Sequence, residues 1–142
     1  MRYETVLFLA VLLLSCAADP YRDGVVTLRD HSIRVELATT PDEQAQGLMH
    51  KTALPTDAGM LFVFNESKTR TFWMKNMKIP LDILFLDDNG KIVTIYRRVP
   101  PCTQTPCELY SSVVPILYAL EVRAGEADTV KEGETAPISY MG

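Results

Sequence analysis

An Asn-Gly step at residues 89–90 constrains the fold of this chain more than any other feature. It separates two apolar runs, DILFLDD and KIVTIYRRV. Asn and Gly both tolerate positive φ, and between two such runs this pair is the strongest short-range signal for a β-hairpin. The sequence therefore predicts a strand, a tight turn and a second strand at the centre of the chain.

Most of the remaining chain also has strand patterns. Ile33, Val35 and Leu37 alternate with charged residues, which predicts a strand with one buried face. Residues 59–64 (GMLFVF) are apolar on both faces, which is typical of a central strand. Further strands are predicted at Val25–Asp30, Ser32–Ala38, Thr71–Asn76, Asp82–Leu86, Leu117–Arg123 and Thr135–Tyr140.

One helix is predicted from Pro41 to about His50. Thr40 can cap its N-terminus, Pro41 fits the first helical position, and Glu43 completes a capping box. A short helix or turn is expected at Ala127–Lys131. About eight short strands with one or two short helices predict a mainly β, single-domain β-sandwich or partly open barrel.

The N-terminus has the pattern of an export signal. Residues 5–14 (TVLFLAVLLL) form an apolar run, too short at ~1.5 Å per residue to cross a ~30 Å hydrocarbon core. Leu13-Leu14-Ser15-Cys16 follows and resembles a bacterial lipobox, in which the cysteine is lipidated. We therefore expect a signal peptide at 1–15, a tether at 16–24 and one domain at 25–142, exported and anchored in the cell envelope. The alternative is a plain secretory signal with Cys16 incidental.

The cysteine count supports the lipoprotein prediction. The chain has three cysteines, so lipidation of Cys16 leaves Cys102 and Cys107 to pair in an oxidising compartment. A disulfide closing this short loop would stabilise the fold by about 2 kcal/mol. A redox or metal-binding pair remains the alternative, although neither a further cysteine nor a nearby histidine completes a metal site.

The charge balance argues against nucleic acid as a partner. The net charge is −4, and removing residues 1–15 takes away one Arg and one Glu, so this value is unchanged. No basic cluster appears along the chain.

Five ordered motifs carry a family resemblance: QGLMHK, GMLFVF, FWMKNMKIPLDILFLDDNGKI, the proline–cysteine loop followed by YSS, and YALEVRAG. Together they resemble the DUF192 family (domain of unknown function 192) over residues 25–140. The resemblance implies a compact jelly-roll-like or barrel fold and no established activity. Met77 departs from the threonine usual in the family. The family's recurrent positions fall here on Gly47, Leu48, Met49, Gly59, Met60, Phe62, Trp73, Met74, Asn76, Pro80, Leu81, Asp82, Glu121 and Gly125.

Asp82 and Glu121 are the candidate catalytic residues. Period-two alternation places Asp82 on the face of Leu84 and Leu86, where a carboxylate is costly unless it is paired or hydrogen-bonded. The alternative is that Asp82 accepts backbone N–H groups and fixes the turn after Pro80. If Glu121 lay near Asp82, the two carboxylates would suit glycosidic bond hydrolysis. Pairing of Glu121 with a basic side chain is the simpler interpretation.

Trp73, Lys75 and Asn76, with Asp82, form the predicted ligand-binding site. An aromatic next to polar groups is typical of a wall that binds a small molecule or a sugar, although a lone Trp is usually in a core. Thioether and imidazole groups also suit copper binding, and the candidate ligands are Met49, His50, Met60, Met74 and Met77. However, methionines commonly fill irregular cores.

The sequence thus predicts an envelope lipoprotein that is a non-catalytic binding or accessory module, with no cofactor and no resident metal. The alternatives are an enzyme that acts on a cell-envelope glycan through Asp82 and Glu121, and a copper-binding periplasmic protein.

Overall fold

The structure is a computed structural model and describes residues 23–140. This part of the chain forms nine strands and one helix, which confirms the mainly β fold with open sheets rather than a closed barrel. The elements are β1 (Asp23–Leu28), β2 (His31–Ala38), α1 (Pro41–Gln46), β3 (Ala58–Lys68), β4 (Thr71–Trp73), β5 (Leu81–Leu86), β6 (Ile92–Val99), β7 (Leu109–Ser111), β8 (Ile116–Arg123) and β9 (Ile138–Tyr140).

Seven of the strands form one sheet in the order β6-β5-β8-β3-β2-β1-β9, and β4 pairs with β7 in a second, two-stranded sheet. β2 and β3 run parallel, with α1 in the connection between them. The other strand pairs are antiparallel. β3 and β8 lie in the middle of the sheet. Residues 59–64 (GMLFVF) of β3 are therefore covered on both faces, as their continuous apolar pattern predicted.

Each face of the large sheet carries its own hydrophobic layer. The first layer contains Met60, Phe62 and Phe85, and it is covered by the segment after α1 and by the small sheet. The second layer contains Leu61, Leu84 and Leu120, and the chain after β8 packs against it. The functional candidates divide between these two layers.

The predicted hairpin is confirmed, because β5 and β6 pair on either side of Asn89-Gly90. Its turn differs from the two-residue turn expected. Gly90 has a φ of 73°, whereas Asn89 is not among the described residues with positive φ. The Asp87 carboxylate accepts the backbone N–H groups of Asn89 and Lys91, each at 2.9 Å. The aspartate therefore organises a wider turn in which glycine alone takes the left-handed conformation.

The capping box of α1 is confirmed, since the Thr40 side chain accepts from the Glu43 N–H and the Glu43 side chain accepts from the Thr40 N–H. The expected extension to His50 is wrong. The helix ends at Gln46, and Gly47 leaves it with a φ of 50°. Residues 47–50 form turns that lead across the first hydrophobic layer.

The disulfide between Cys102 and Cys107 is present.

β1 begins at Asp23, so the last two residues of the expected tether belong to the sheet. The predicted signal peptide, Cys16 and the rest of the tether lie outside the described residues. Among residues 23–140, no helix has the length and apolar character to cross a membrane.

Candidate functional site

A cleft of about 360 Å³ opens over the first hydrophobic layer. Its walls come from the end of α1 and the following turn, from β3, and from β4 with residues that flank it. One residue of β8 also lines it. The lining residues are Gln44, Ala45, Gln46, Gly47, Leu48, Met49, Phe62, Phe64, Arg70, Thr71, Phe72, Trp73, Met77 and Glu121.

Glu121 is the residue of this cleft that packing does not explain. It lies in the middle of β8, between Met60 on β3 and Ile83 on β5. Its exposed fraction is 5%. Its Oε2 atom is buried and has no hydrogen-bond partner among residues 23–140. A buried polar atom without a partner is uncommon and needs a specific cause, because its desolvation is not compensated.

Burial raises the pKa of the Glu121 carboxyl from an ordinary value of 4.5 to about 8. Within residues 23–140, no cation or N–H donor opposes this effect, and desolvation is the cause of the shift. At neutral pH the group is therefore mainly a neutral carboxylic acid, which can both donate and accept a hydrogen bond.

Gly47 brings the backbone of the turn after α1 close to Glu121. A Cβ atom at this position would lie 3.2 Å from Cζ of Phe62 and 3.8 Å from Oε2 of Glu121. The φ of 50° is also a conformation that side chains rarely adopt. The turn after α1 therefore passes close to the carboxyl group without covering it with a side chain.

Trp73 is the one member of the predicted ligand site that lines the cleft. It is 47% exposed, so about half of the indole is open at the mouth rather than packed in the core. The ammonium group of Lys75 lies 5.0 Å from the centre of its ring. Lys75 thus contacts Trp73 through a cation–π interaction beside the cleft.

Asn76 has a structural part in the turn before β5. Its φ is 58°, which asparagine tolerates better than most residues. Its backbone carbonyl accepts the His50 N–H at 3.1 Å, and its Nδ2 lies 3.9 Å from Sδ of Met49. Asn76 therefore holds the segment after α1 in place, next to the cleft and not in its lining.

Asp82 lies away from the cleft, on the opposite face of the sheet. Its Oδ1 accepts the Arg98 N–H at 2.7 Å, and its Oδ2 accepts the N–H groups of Gly125 and Ala127, each at 2.9 Å. Three backbone donors satisfy the buried carboxylate. Asp82 thus joins β6 and the turn after β8 to the sheet, which accounts for a carboxylate on the face of Leu84 and Leu86.

The structure does not bring the two candidate catalytic carboxylates together. Along the β5–β8 ladder, Glu121 lies opposite Ile83, and Asp82 lies opposite Val122. Residues directly opposite each other share a face, and neighbours along a strand alternate. Asp82 and Glu121 consequently point to opposite sides of the sheet and cannot flank one glycosidic bond.

The methionines of the copper alternative serve mainly as core residues. Met60, Met74 and Met77 are buried in the first layer, and Met49 packs against them. Among the described residues, one group of three metal-ligand types lies together, His31, Asp57 and Glu126. The Arg123 guanidinium is 3.6 Å from Glu126 and already supplies this group with a cation.

Two residues of the cleft, Arg70 and Phe72, were not predicted as site residues. Arg70 lies in the short link between β3 and β4, where no periodicity marks it. Phe72 joins Phe62 and Phe85 in edge-to-face contacts of 4.9 and 5.3 Å between ring centres. The same ring also lines the cleft, so the cleft wall is anchored in the core.

Comparisons with known proteins agree with this fold. The model of DUF192, described as "Uncharacterized ACR, COG1430", matches residues 24–138. The crystal structure of a proposed transcription regulator from Sinorhizobium meliloti 1021 is similar, with a TM-score of 0.73 and 32% identity over 84% of this chain and 93% of that one. A protein of unknown function from Novosphingobium aromaticivorans DSM 12444 has a TM-score of 0.72 and 32% identity, over 82% of this chain and 84% of that one. No curated protein matches the sequence significantly.

Proposed function

Because the chain belongs to the DUF192 family, whose name assigns no reaction, we propose that it is a non-catalytic module that binds a small molecule in the cleft beside Glu121. The observation that carries this proposal is the buried, unpartnered Oε2 of Glu121 in the lining of an open cleft. A ligand group that hydrogen-bonds to the carboxyl would satisfy this atom. Small-molecule sites commonly combine apolar walls with a few such polar groups.

The composition of the lining favours binding over catalysis. Among the fourteen lining residues, Glu121 and Arg70 are the ionisable side chains. A single carboxyl of raised pKa can act as a general acid. Hydrolysis of a glycosidic bond ordinarily uses two carboxylates, and the described lining holds one.

We also propose that the domain works at the cell envelope, held to the membrane by a lipid on Cys16. The support is the sequence pattern, in which an apolar run ends at this cysteine. The disulfide between Cys102 and Cys107 fits an oxidising compartment. With a net charge of −4, the protein is not expected to bind nucleic acid, although one similar structure is described as a transcription regulator.

Trp73 provides the test of cleft binding, because it is the one tryptophan of the chain and lies at the cleft mouth. The purified protein would be titrated with a panel of small single-ring amides, carboxylates and amines while indole fluorescence is recorded. We expect saturable changes for at least one class. Ala45 is exposed and lines the cleft, so Ala45→Phe should block the response.

The matched control is Ala53→Phe, at an exposed position outside the lining. This variant should retain the response of the unmodified protein. Equal responses of the two phenylalanine variants would show that the indole senses binding elsewhere and would refute the proposed site.

The anchor is tested by Cys16→Ser in the full chain. Metabolic labelling with a fatty acid, followed by membrane fractionation, should show loss of the lipid and loss of membrane association. A variant that is still fully processed and membrane-bound would contradict the proposed anchor, and it would leave the cleft hypothesis unaffected.

A further inference from the structure

Arg70 is held at the cleft with part of its guanidinium unused. The guanidinium carbon lies 4.1 Å from the centre of the Phe64 ring. One Nη2 hydrogen bond of 3.0 Å goes to the Glu66 carbonyl oxygen, and the Arg70 backbone N–H donates to Oγ of Ser112 at 3.0 Å. The Nε atom is buried and has no acceptor among residues 23–140. The side chain is thus fixed in place, and its Nε–H is among the donors that find no acceptor within the described residues.

The charge around this donor is positive. Of the two ionisable lining residues, Arg70 is always protonated, and the burial-raised pKa of about 8 keeps Glu121 mainly neutral at pH 7. Lys75 adds a second cation beside the mouth, over Trp73. The acidic side chain nearest in sequence, Glu66, pairs with Lys68 at 2.6 Å. Lys68 and, to a smaller extent, Arg70 lower the pKa of this carboxyl, so Glu66 offsets part of the positive charge.

Between Arg70 and Glu121 the walls are apolar. Phe62, Phe72 and Met77 line this part of the cleft. Glu121 lies opposite Met60 on β3, and Arg70 stacks on Phe64, four residues further along the strand. The two polar groups therefore lie beside different residues of β3 along the cleft wall.

We propose that the ligand is a small organic acid whose apolar body packs between the phenylalanines and whose carboxylate accepts N–H groups of the Arg70 guanidinium. This inference rests on the proposed function, because it names the chemical class that the cleft binds. Arginine suits such an end group, since its planar fork of N–H donors matches a carboxylate.

The test compares three probes of equal shape: 4-phenylbutyrate, 4-phenylbutanamide and 4-phenylbutylamine. Each is titrated at pH 7 into the full protein, with Trp73 fluorescence as the readout. The carboxylate should bind at least tenfold more tightly than the amide, and the amine should bind most weakly. Arg70→Gln should remove this preference, and Arg70→Lys should restore only part of it.

Arg34→Gln is the control, because it removes an exposed arginine of β2 that does not line the cleft. It should leave the preference intact, and circular dichroism should show that both glutamine variants are folded. Equal affinities for the three probes, or a preference that survives in Arg70→Gln, would overturn the organic-acid inference. The proposed function would stand if Ala45→Phe still blocked the binding, and it would fall with the inference if none of the probes altered the indole signal.

Discussion

Glu121→Gln is predicted to stabilise the folded protein at neutral pH. The substitution keeps the shape of the side chain and removes its ability to ionise. The wild-type carboxyl is almost completely buried and lacks a partner for Oε2 among the described residues. Its charged form is therefore disfavoured in the folded state, whereas the unfolded chain exposes it to water.

The size of the effect follows from the pKa difference. Burial raises the pKa of Glu121 from 4.5 to about 8, so between these pH values the folded protein retains a proton that the unfolded chain has released. The free energy of unfolding should fall by about 1.4 kcal/mol per pH unit in this window. The penalty is absent below pH 4.5, reaches about 3 kcal/mol at pH 7, and approaches about 5 kcal/mol above pH 8.

Urea unfolding at about pH 5, 6, 7 and 8 measures this difference. Wild type and Glu121→Gln should have similar stabilities near pH 5, and the variant should be more stable by about 3 kcal/mol near pH 7. Asp30→Asn, which removes an exposed carboxylate, should follow the wild-type curve. Parallel curves for wild type and Glu121→Gln would show that the carboxyl is solvated or paired, and the argument from its burial would fail.

Three further substitutions test the scaffold in the same assay. Asp82→Asn should destabilise the protein by about 3 kcal/mol, because an amide cannot accept three backbone N–H groups with both of its polar atoms; a change as small as that of Asp30→Asn would contradict the role of its hydrogen bonds. Replacing Cys102 and Cys107 by serine should cost about 2 kcal/mol, the value for so short a loop, and the reduced wild type should match the double variant. Gly59→Ala should cost about 3 kcal/mol or more, since its Cβ would lie 2.5 Å from a backbone carbonyl oxygen of β8; near-normal stability would mean that the central strands separate easily.

The local parts of the fold were predictable because adjacent residues determine them. The capping box at Thr40 needs only its own sequence, and the hairpin at Gly90 needs only the runs beside it. The placement of Asp82 on the face of Leu84 also follows from alternation within one strand. The detail of the turn was missed because Asp87, rather than Asn89, supplies its hydrogen bonds.

The site was less predictable because it depends on which strands become neighbours. β8 lies between β3 and β5, although residues of β8 are distant from both in sequence. This order decides that Glu121 shares a face with Ile83 and not with Asp82. No local pattern encodes that register, and for the same reason nothing in the sequence connected Arg70 with the cleft.

The positions that recur in the family are of two kinds in the structure: some serve the fold, and one borders the cleft without serving the fold. Gly125, with a φ of 99°, donates its N–H to Asp82, so the two residues together serve the fold. Gly47 likewise serves the fold, because it ends α1 with a φ of 50° and its N–H donates to the Glu43 carbonyl oxygen. Glu121 has no comparable explanation. Burial of the carboxyl is predicted to lower stability at neutral pH, and its Oε2 finds no partner within residues 23–140. A residue that destabilises the fold and borders an open cleft is better explained by a ligand than by packing. The fold alone therefore accounts for Asp82, whereas the ligand proposal depends on Glu121.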